Sequence, residues 1–272
     1  MIIVFGSINL DIVTRTARIP GPGETVKGET YQLIPGGKGA DLALDNLQRD
    51  GVELTQLGRV ADPTGIANIT VDDSGENAIV VASGANSKAL ASQLDGLGPV
   101  QGFLLTQNEV LEEETLKAHA KAKQLGLTTI HNLAPANKLD REALGLIDWL
   151  VVNETEALIV ADGAGISTGS DSVKAARALA EQTRHNVIVT LGNKGAYSFG
   201  PAGDHHGKAL AVEVVDTTAA GDSFTGAFAA ALDQGFGIAD ALSRASVAGS
   251  LACTVFGAQP SIPDKNAIDA AS

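Results

Sequence analysis

The sequence predicts an α/β fold, a mainly parallel central sheet flanked by helices with a small β-sheet lid. Three observations predict it. Short apolar runs recur along the 272 residues, helical stretches lie between them, and two turn-rich segments break the alternation. Strands buried on both faces read as near-continuous apolar runs, which is the pattern here.

Taken in order, the strand candidates are 2–5, 55–60, 102–105, 128–131, 149–152 and 187–191. The helix candidates are 40–49, 113–125, 171–182, 222–234 and 238–254. The first interruption, 12–33, carries Pro20, Gly21, Pro22 and Gly23 among short strand-like pieces. The second, 65–81, reads as two strands joined by the turn-rich stretch 72–77. A single domain over 1–272, with lid strands from about 12–35 and 64–82, is the simplest organisation. In such folds ligands sit beyond the carboxyl ends of the strands, so the polar signals are expected there.

Composition narrows the function classes. Apolar residues make up 44% and charged residues 19%, the balance of a soluble protein with a substantial core. A net charge of −13 and only 4% aromatics argue against nucleic acid and against an anionic membrane surface. An anionic ligand must then be held by backbone N–H groups, a few cations and a metal. Cys253 is the only cysteine, so no intrachain disulfide forms, which fits a reducing compartment. Residues 2–5 read as a core strand rather than a signal peptide, and no apolar run is long enough to span a bilayer. A cytoplasmic location is expected.

The strongest chemical signal is DTTAAGDSFTG, Asp216 to Gly226. Ala219, Ala220 and Gly221 come just before a helix whose first turn has unpaired N–H groups and the positive end of the dipole. Gly221 lets backbone approach an anion, and Asp222 beside it is placed to take a proton from an attacking hydroxyl, the pairing phosphoryl transfer requires. The alternative is that Asp222 only caps a core helix. A second segment, Gly36-Gly37-Lys38-Gly39-Ala40-Asp41, again opens a helix with glycines but lacks the spacing of a P-loop, and reads equally as a turn. No G-x-G-x-x-G occurs, which removes the dinucleotide-binding reading. Asn9 and Asp11 follow the first strand, where paired donors and acceptors grip sugar hydroxyls or form an ordinary polar turn. Asn153 and Glu156 suit a Mg²⁺ that keeps most of its water, and equally a capping box.

These segments, in this order, are similar to those of the ribokinase/PfkB carbohydrate kinases, the ribokinase branch above all. The match runs through GSINLD (6–11), PGPGETV (20–26), GGKGA (36–40), NETEA (153–157), TLGNKG (190–195), DTTAAGD (216–222) and GAQPSIP (257–263). The resemblance implies a ribokinase-like fold and ATP-dependent phosphorylation of a small sugar, D-ribose first. Asp222 would be the general base, and the Ala220 and Gly221 N–H groups the anion hole. Asn9, Asp11, Gly37, Lys38, Asp41, Glu109 and Asp222 would meet the sugar. Asn153, Thr190, Leu191, Gly192, Asn193, Lys194, Gly195, Gly221 and Ser246 would line the nucleotide side. Asn153 and Glu156 would serve the Mg²⁺ region. Asp216, Thr218, Ala252, Val255, Gly257 and Ser261 match positions that hold an activating K⁺. The lid strands would form a homodimer contact. Alternatives within the resemblance are a kinase of deoxyribose, a ketohexose or a nucleoside, and a sugar-binding relative with impaired turnover.

Two departures from the family pattern stand out. Asp41 replaces an Asn that donates to the sugar, and a carboxylate only accepts. After 55–60, only Ala61, Asp62 and Pro63 precede the lid, whereas a parallel crossover needs a dozen or more residues. The crossover is therefore absent, and its loss should expose apolar surface or call for a partner. The five histidines show no metal-ligand spacing, Cys253 reads as core packing, and Glu112–Glu114 reads as a solvated helix start.

Overall fold

The computed structural model describes residues 1–34, 38–73, 76–139 and 141–272. In chain order the regular elements are β1 (Ile2–Phe5), β2 (Asn9–Arg15), β3 (Thr30–Ile34), α1 (Lys38–Arg49), β4 (Gly65–Val71), β5 (Asn77–Ala82), β6 (Phe103–Thr106) and α2 (Glu112–Leu125). There follow β7 (Thr128–Asn132), α3 (Arg141–Leu144), β8 (Trp149–Asn153), α4 (Glu154–Gly163), α5 (Ser172–Thr183), β9 (Asn186–Thr190), β10 (Ala196–Phe199) and β11 (His205–Gly207). The chain closes with α6 (Ala220–Asp233), α7 (Ile238–Ala252) and α8 (Lys265–Ala271). These fall into two compact units, one of 1–5, 94–108 and 112–272, the other of 6–93 and 109–111.

The larger unit is built on a seven-stranded sheet in the order β1-β6-β7-β8-β9-β10-β11. The first five strands run parallel, β10 adds antiparallel to β9, and β11 adds antiparallel to β10. Successive side chains of a strand point to opposite faces, and here both faces are apolar. Trp149 and Val151 of β8 join Ile130, Ile188, Phe224, Phe228 and Leu242 under α6 and α7. Leu150 and Val152 join Val160, Leu179, Val187 and Val189 under α4 and α5. Each fully buried Leu, Val or Phe of this kind stabilises by about 1.5–3 kcal/mol, so the two layers together hold the sheet.

One polar cluster sits inside this core. The Thr106 hydroxyl lies 2.7 Å from His119 Nε2 and 2.8 Å from His131 Nδ1, all three side chains being buried. Burial holds both rings far below the ordinary histidine value and so keeps them neutral. His131, at the end of β7, is thus occupied with core hydrogen bonding.

The smaller unit carries a four-stranded sheet in the order β3-β2-β4-β5. Pairs β2–β3 and β4–β5 are antiparallel and β2–β4 is parallel, so this sheet is mixed. The strands expected in 12–33 and 65–81 are present, and β2 begins earlier, at Asn9.

One expected strand is not. Residues 55–60 are irregular, and no strand of either sheet pairs with them. Thr55, Leu57 and Val60 suit a strand, but a strand forms only where a ladder takes its N–H and C=O groups. The Gln56 carbonyl instead accepts from Gln93 Nε2 at 2.7 Å. The apolar surface expected from the missing crossover is visible in both units. Val52, Leu57 and Val60 are exposed in the smaller one. In the larger one β1 is the outermost strand of the sheet, and its Val4 is 71% exposed.

Candidate functional site

In the larger unit the predicted helix start at Asp222 is α6, beginning two residues earlier at Ala220. Its N-cap is Ala219, held at φ 59°, with no side-chain cap. A left-handed alanine costs roughly 1–2 kcal/mol, strain of a kind that gathers at functional sites. The outermost first-turn donor, Ala220 N–H, turns back to Thr217 O at 3.3 Å, a long bond. Gly221 and Asp222 are exposed beside it. A Cβ built on Gly221 would meet nothing within 4 Å, so the fold itself does not need a glycine there. The glycine leaves room for an approaching group, next to an exposed carboxylate and the positive end of a helix.

Asp216 ties this segment to the segment after α7. Its Oδ1 accepts from Thr218 N at 2.9 Å and Thr218 Oγ1 at 2.6 Å, while its Oδ2 accepts from Gly257 N at 2.9 Å. Ser261 closes the next turn by donating from Oγ to Ala258 O at 2.7 Å. The residues matched to a monovalent-cation site thus come from two segments joined by one carboxylate, rich in backbone carbonyls.

At the carboxyl ends of β8 and β9, Asn153 and Thr190 stand as register partners. Asn153 caps α4 in a full capping box: its Oδ1 accepts from Glu156 N at 2.9 Å, and Glu156 Oε2 accepts from Asn153 N at 2.7 Å. Burial pushes the Glu156 carboxyl above its ordinary range, against the pull of the Asn153 N–H. After Thr190 the chain makes a one-turn helix at 192–194, with Lys194 N donating to Leu191 O at 3.1 Å and Gly195 N to Gly192 O at 3.0 Å. Ser246, expected on the nucleotide side, is buried, and its hydroxyl donates to Gly207 O at 3.2 Å.

The smaller unit holds the expected sugar contacts that can be described. Glu109 Oε2 accepts from Ser7 Oγ and from Asn9 Nδ2, each at 2.5 Å. Asn9 Oδ1 accepts from Asn86 Nδ2 at 2.8 Å, and Asn86 also bonds the Ile8 N–H and carbonyl. The Asn9 and Asn86 amide orientations are each set by their partners, a carboxylate being only an acceptor. A Cβ on Gly65 would lie 2.3 Å from Asn9 Oδ1 and 2.4 Å from Asn86 Nδ2, so only glycine fits beside the network. Asp11 lies on β2 opposite Ala67 and Ile34. Gly37 lies outside the described residues, and Lys38 and Asp41 are described only as backbone of α1.

Ser7, Asn86 and Gly65 escaped sequence reasoning. The bonds of Ser7 and Asn86 join residues 77 to 102 apart in the chain, and no local spacing signals them or the close approach at Gly65. Among the described residues no group of three or more His, Cys, Asp or Glu could hold a metal, and no helix is long and apolar enough to cross a membrane.

Known proteins share the sequence pattern and the fold. The profile of pfkB family carbohydrate kinases matches residues 40–265. A ribokinase of Lactococcus lactis is 32% identical over 98% of this chain and 95% of its own. That alignment runs over 296 positions, more than the 272 residues here, so the relative carries residues that this chain lacks. The crystal structure of a Thermotoga maritima ribokinase superposes with a TM-score of 0.85 at 34% identity, covering 99% of this chain and 98% of that one. An Arabidopsis thaliana ribokinase complexed with ribose and ATP gives a TM-score of 0.77 at 28% identity, covering 99% and 97%.

Proposed function

The chain belongs to the pfkB family of carbohydrate kinases, and from that premise we propose that it transfers the γ-phosphoryl group of ATP to the terminal hydroxyl of D-ribose, giving ribose 5-phosphate. The observation that carries the reading is the start of α6, uncapped by any side chain, with Gly221 open to approach and Asp222 exposed beside it.

Asp222 takes the proton of the sugar hydroxyl as its oxygen bonds to the γ-phosphorus. The bond from that phosphorus to the bridging oxygen breaks, and ADP leaves. The Gly221 N–H, with Ala220 and the helix dipole, holds the negative charge of the phosphoryl oxygens; one such donor contributes roughly 3–4 kcal/mol. Asn9, Asp11, Gly37, Lys38, Asp41 and Glu109 hold the sugar. The bonds from Ser7 and Asn9 to Glu109 support this role by fixing the carboxylate and the amide in advance. Thr190–Gly195 and Ser246 serve the nucleotide.

Mg²⁺ would accompany ATP and would neutralise phosphate charge. Asn153 and Glu156 suit it: one amide and one carboxylate, braced by each other, match an ion that keeps most of its ligands as water and phosphate. K⁺ is proposed at Asp216, Thr218, Ala252, Val255, Gly257 and Ser261, supported by the bond from Gly257 N to Asp216. A homodimer through the small sheet is supported by exposed Tyr31, Ile79 and Val80. A cytoplasmic location accords with a single cysteine.

The test is ADP release measured with D-ribose, 2-deoxyribose, a ketohexose and adenosine, with and without K⁺. The expected order places D-ribose first in kcat/KM, with K⁺ raising the rate. A higher kcat/KM on adenosine would overturn the ribose assignment, and ribose binding without ATP consumption would overturn the kinase reading.

A further inference from the structure

We propose that His206 is a positioning residue for the nucleotide loop, holding the Lys194 carbonyl in place through its ring. The inference rests on the reading of Thr190–Gly195 as nucleotide-binding and adds the group that shapes it. His206 Nε2 lies 3.1 Å from Lys194 O. A carbonyl only accepts, so that ring nitrogen carries the proton and donates. The ring is held in turn by Tyr197, its direct partner across β10 and β11, stacked at 4.2 Å between centroids and 14° between planes.

The strand that carries His206 is itself anchored. Ser246 Oγ donates to Gly207 O at 3.2 Å, Ser250 Oγ donates to Ser246 O at 2.8 Å, and Leu210 N donates to Ser250 Oγ at 3.1 Å. A continuous path of hydrogen bonds and backbone therefore runs from buried α7, through β11, to the loop. The loop is also held at its ends, where Ala196 pairs with Thr190 and with Gly207, and by its own short backbone turns, including Leu191 N to Gly195 O at 2.8 Å. His206 adds a side-chain bond to Lys194, inside the loop, from an exposed position where a substitution leaves the core intact.

Two variants separate the bond from the stack. His206→Phe keeps a ring for Tyr197 but has no donor, whereas His206→Gln keeps a donor at the same reach. The readouts are KM for ATP, KM for D-ribose, melting temperature, and hydrogen–deuterium exchange of the peptide spanning 190–196 with and without ATP. Loss of one hydrogen bond predicts a three- to tenfold rise, roughly, in both KM for ATP and loop exchange in His206→Phe. KM for D-ribose and the melting temperature should stay, and His206→Gln should restore most of the loss. Wild-type protection of 190–196 by ATP together with unchanged KM and exchange in His206→Phe would overturn the inference and leave the nucleotide reading standing. Absence of ATP protection in wild type would overturn the nucleotide reading and the inference with it.

Discussion

Helices α4 and α6 belong to the same unit, yet they begin in opposite ways. The start of α4 is closed on itself: Asn153 and Glu156 exchange two hydrogen bonds, and the carboxylate is buried. The start of α6 has an alanine N-cap in a left-handed conformation and no side-chain cap, and the glycine that follows faces open space. A Ser, Thr, Asp or Asn cap in the usual extended conformation stabilises a helix by about 1 kcal/mol, and the left-handed Ala219 forgoes it. Such a side chain would also occupy the donors that an anion needs. Helix α6 is left without a side-chain cap, whereas α4, on the opposite face of the sheet, has one: the capped start fixes its own helix, and the other leaves its first turn without a side chain over it.

The sharpest way to break this comparison is Asp222→Asn. With the general base removed, kcat should fall by about 10²–10⁴-fold while the melting temperature stays, as read by steady-state ADP release and calorimetry. A loss of only a few-fold would make the start of α6 as structural as that of α4.

Gly221→Ala probes the same start from the other side. Alanine is the better helix former by about 0.8–1.0 kcal/mol, and its methyl would meet no protein atom, so the melting temperature should hold or rise. The rate should nonetheless drop by about tenfold or more, because the methyl stands where phosphoryl oxygens approach. Full activity in Gly221→Ala would show the open space to be unused.

The smallest effect belongs to the closed start. Asn153→Ala removes the capping box and should cost about 1 kcal/mol. That corresponds to a fall of about 2–4 °C in melting temperature for a chain of this size, with a raised Mg²⁺ requirement in the same assay. An unchanged melting temperature would mean that the box does not hold α4.

Both starts were legible in the sequence, because each is written in adjacent residues: small residues before Asp222, and Asn153 three residues before Glu156. The parallel strands were legible for a similar reason, since burial on both faces leaves unbroken apolar runs such as 149–152. Strands β10 and β11 were not. Tyr197, Ser198, His205 and His206 carry no apolar run, and their pairing is antiparallel at the rim of the sheet. The stretch 55–60 failed in the opposite sense, having the local pattern of a strand but no ladder to join. The Ser7–Glu109–Asn9–Asn86 network was half legible. Asn9 came from its place after the first strand and Glu109 from family resemblance, while Ser7 and Asn86 depend on contacts that only the folded chain creates.

The position of β1 has a bearing on how the chain is made. Among the described residues its one sheet neighbour is β6, with Ile2 opposite Phe103. Roughly a hundred residues must leave the ribosome between the two, which at about 5–20 residues per second is roughly 5–20 s. Through that interval four apolar residues wait without the strand that completes them. Yield during synthesis should therefore depend on temperature and on holding chaperones more than the stability of the finished fold would suggest.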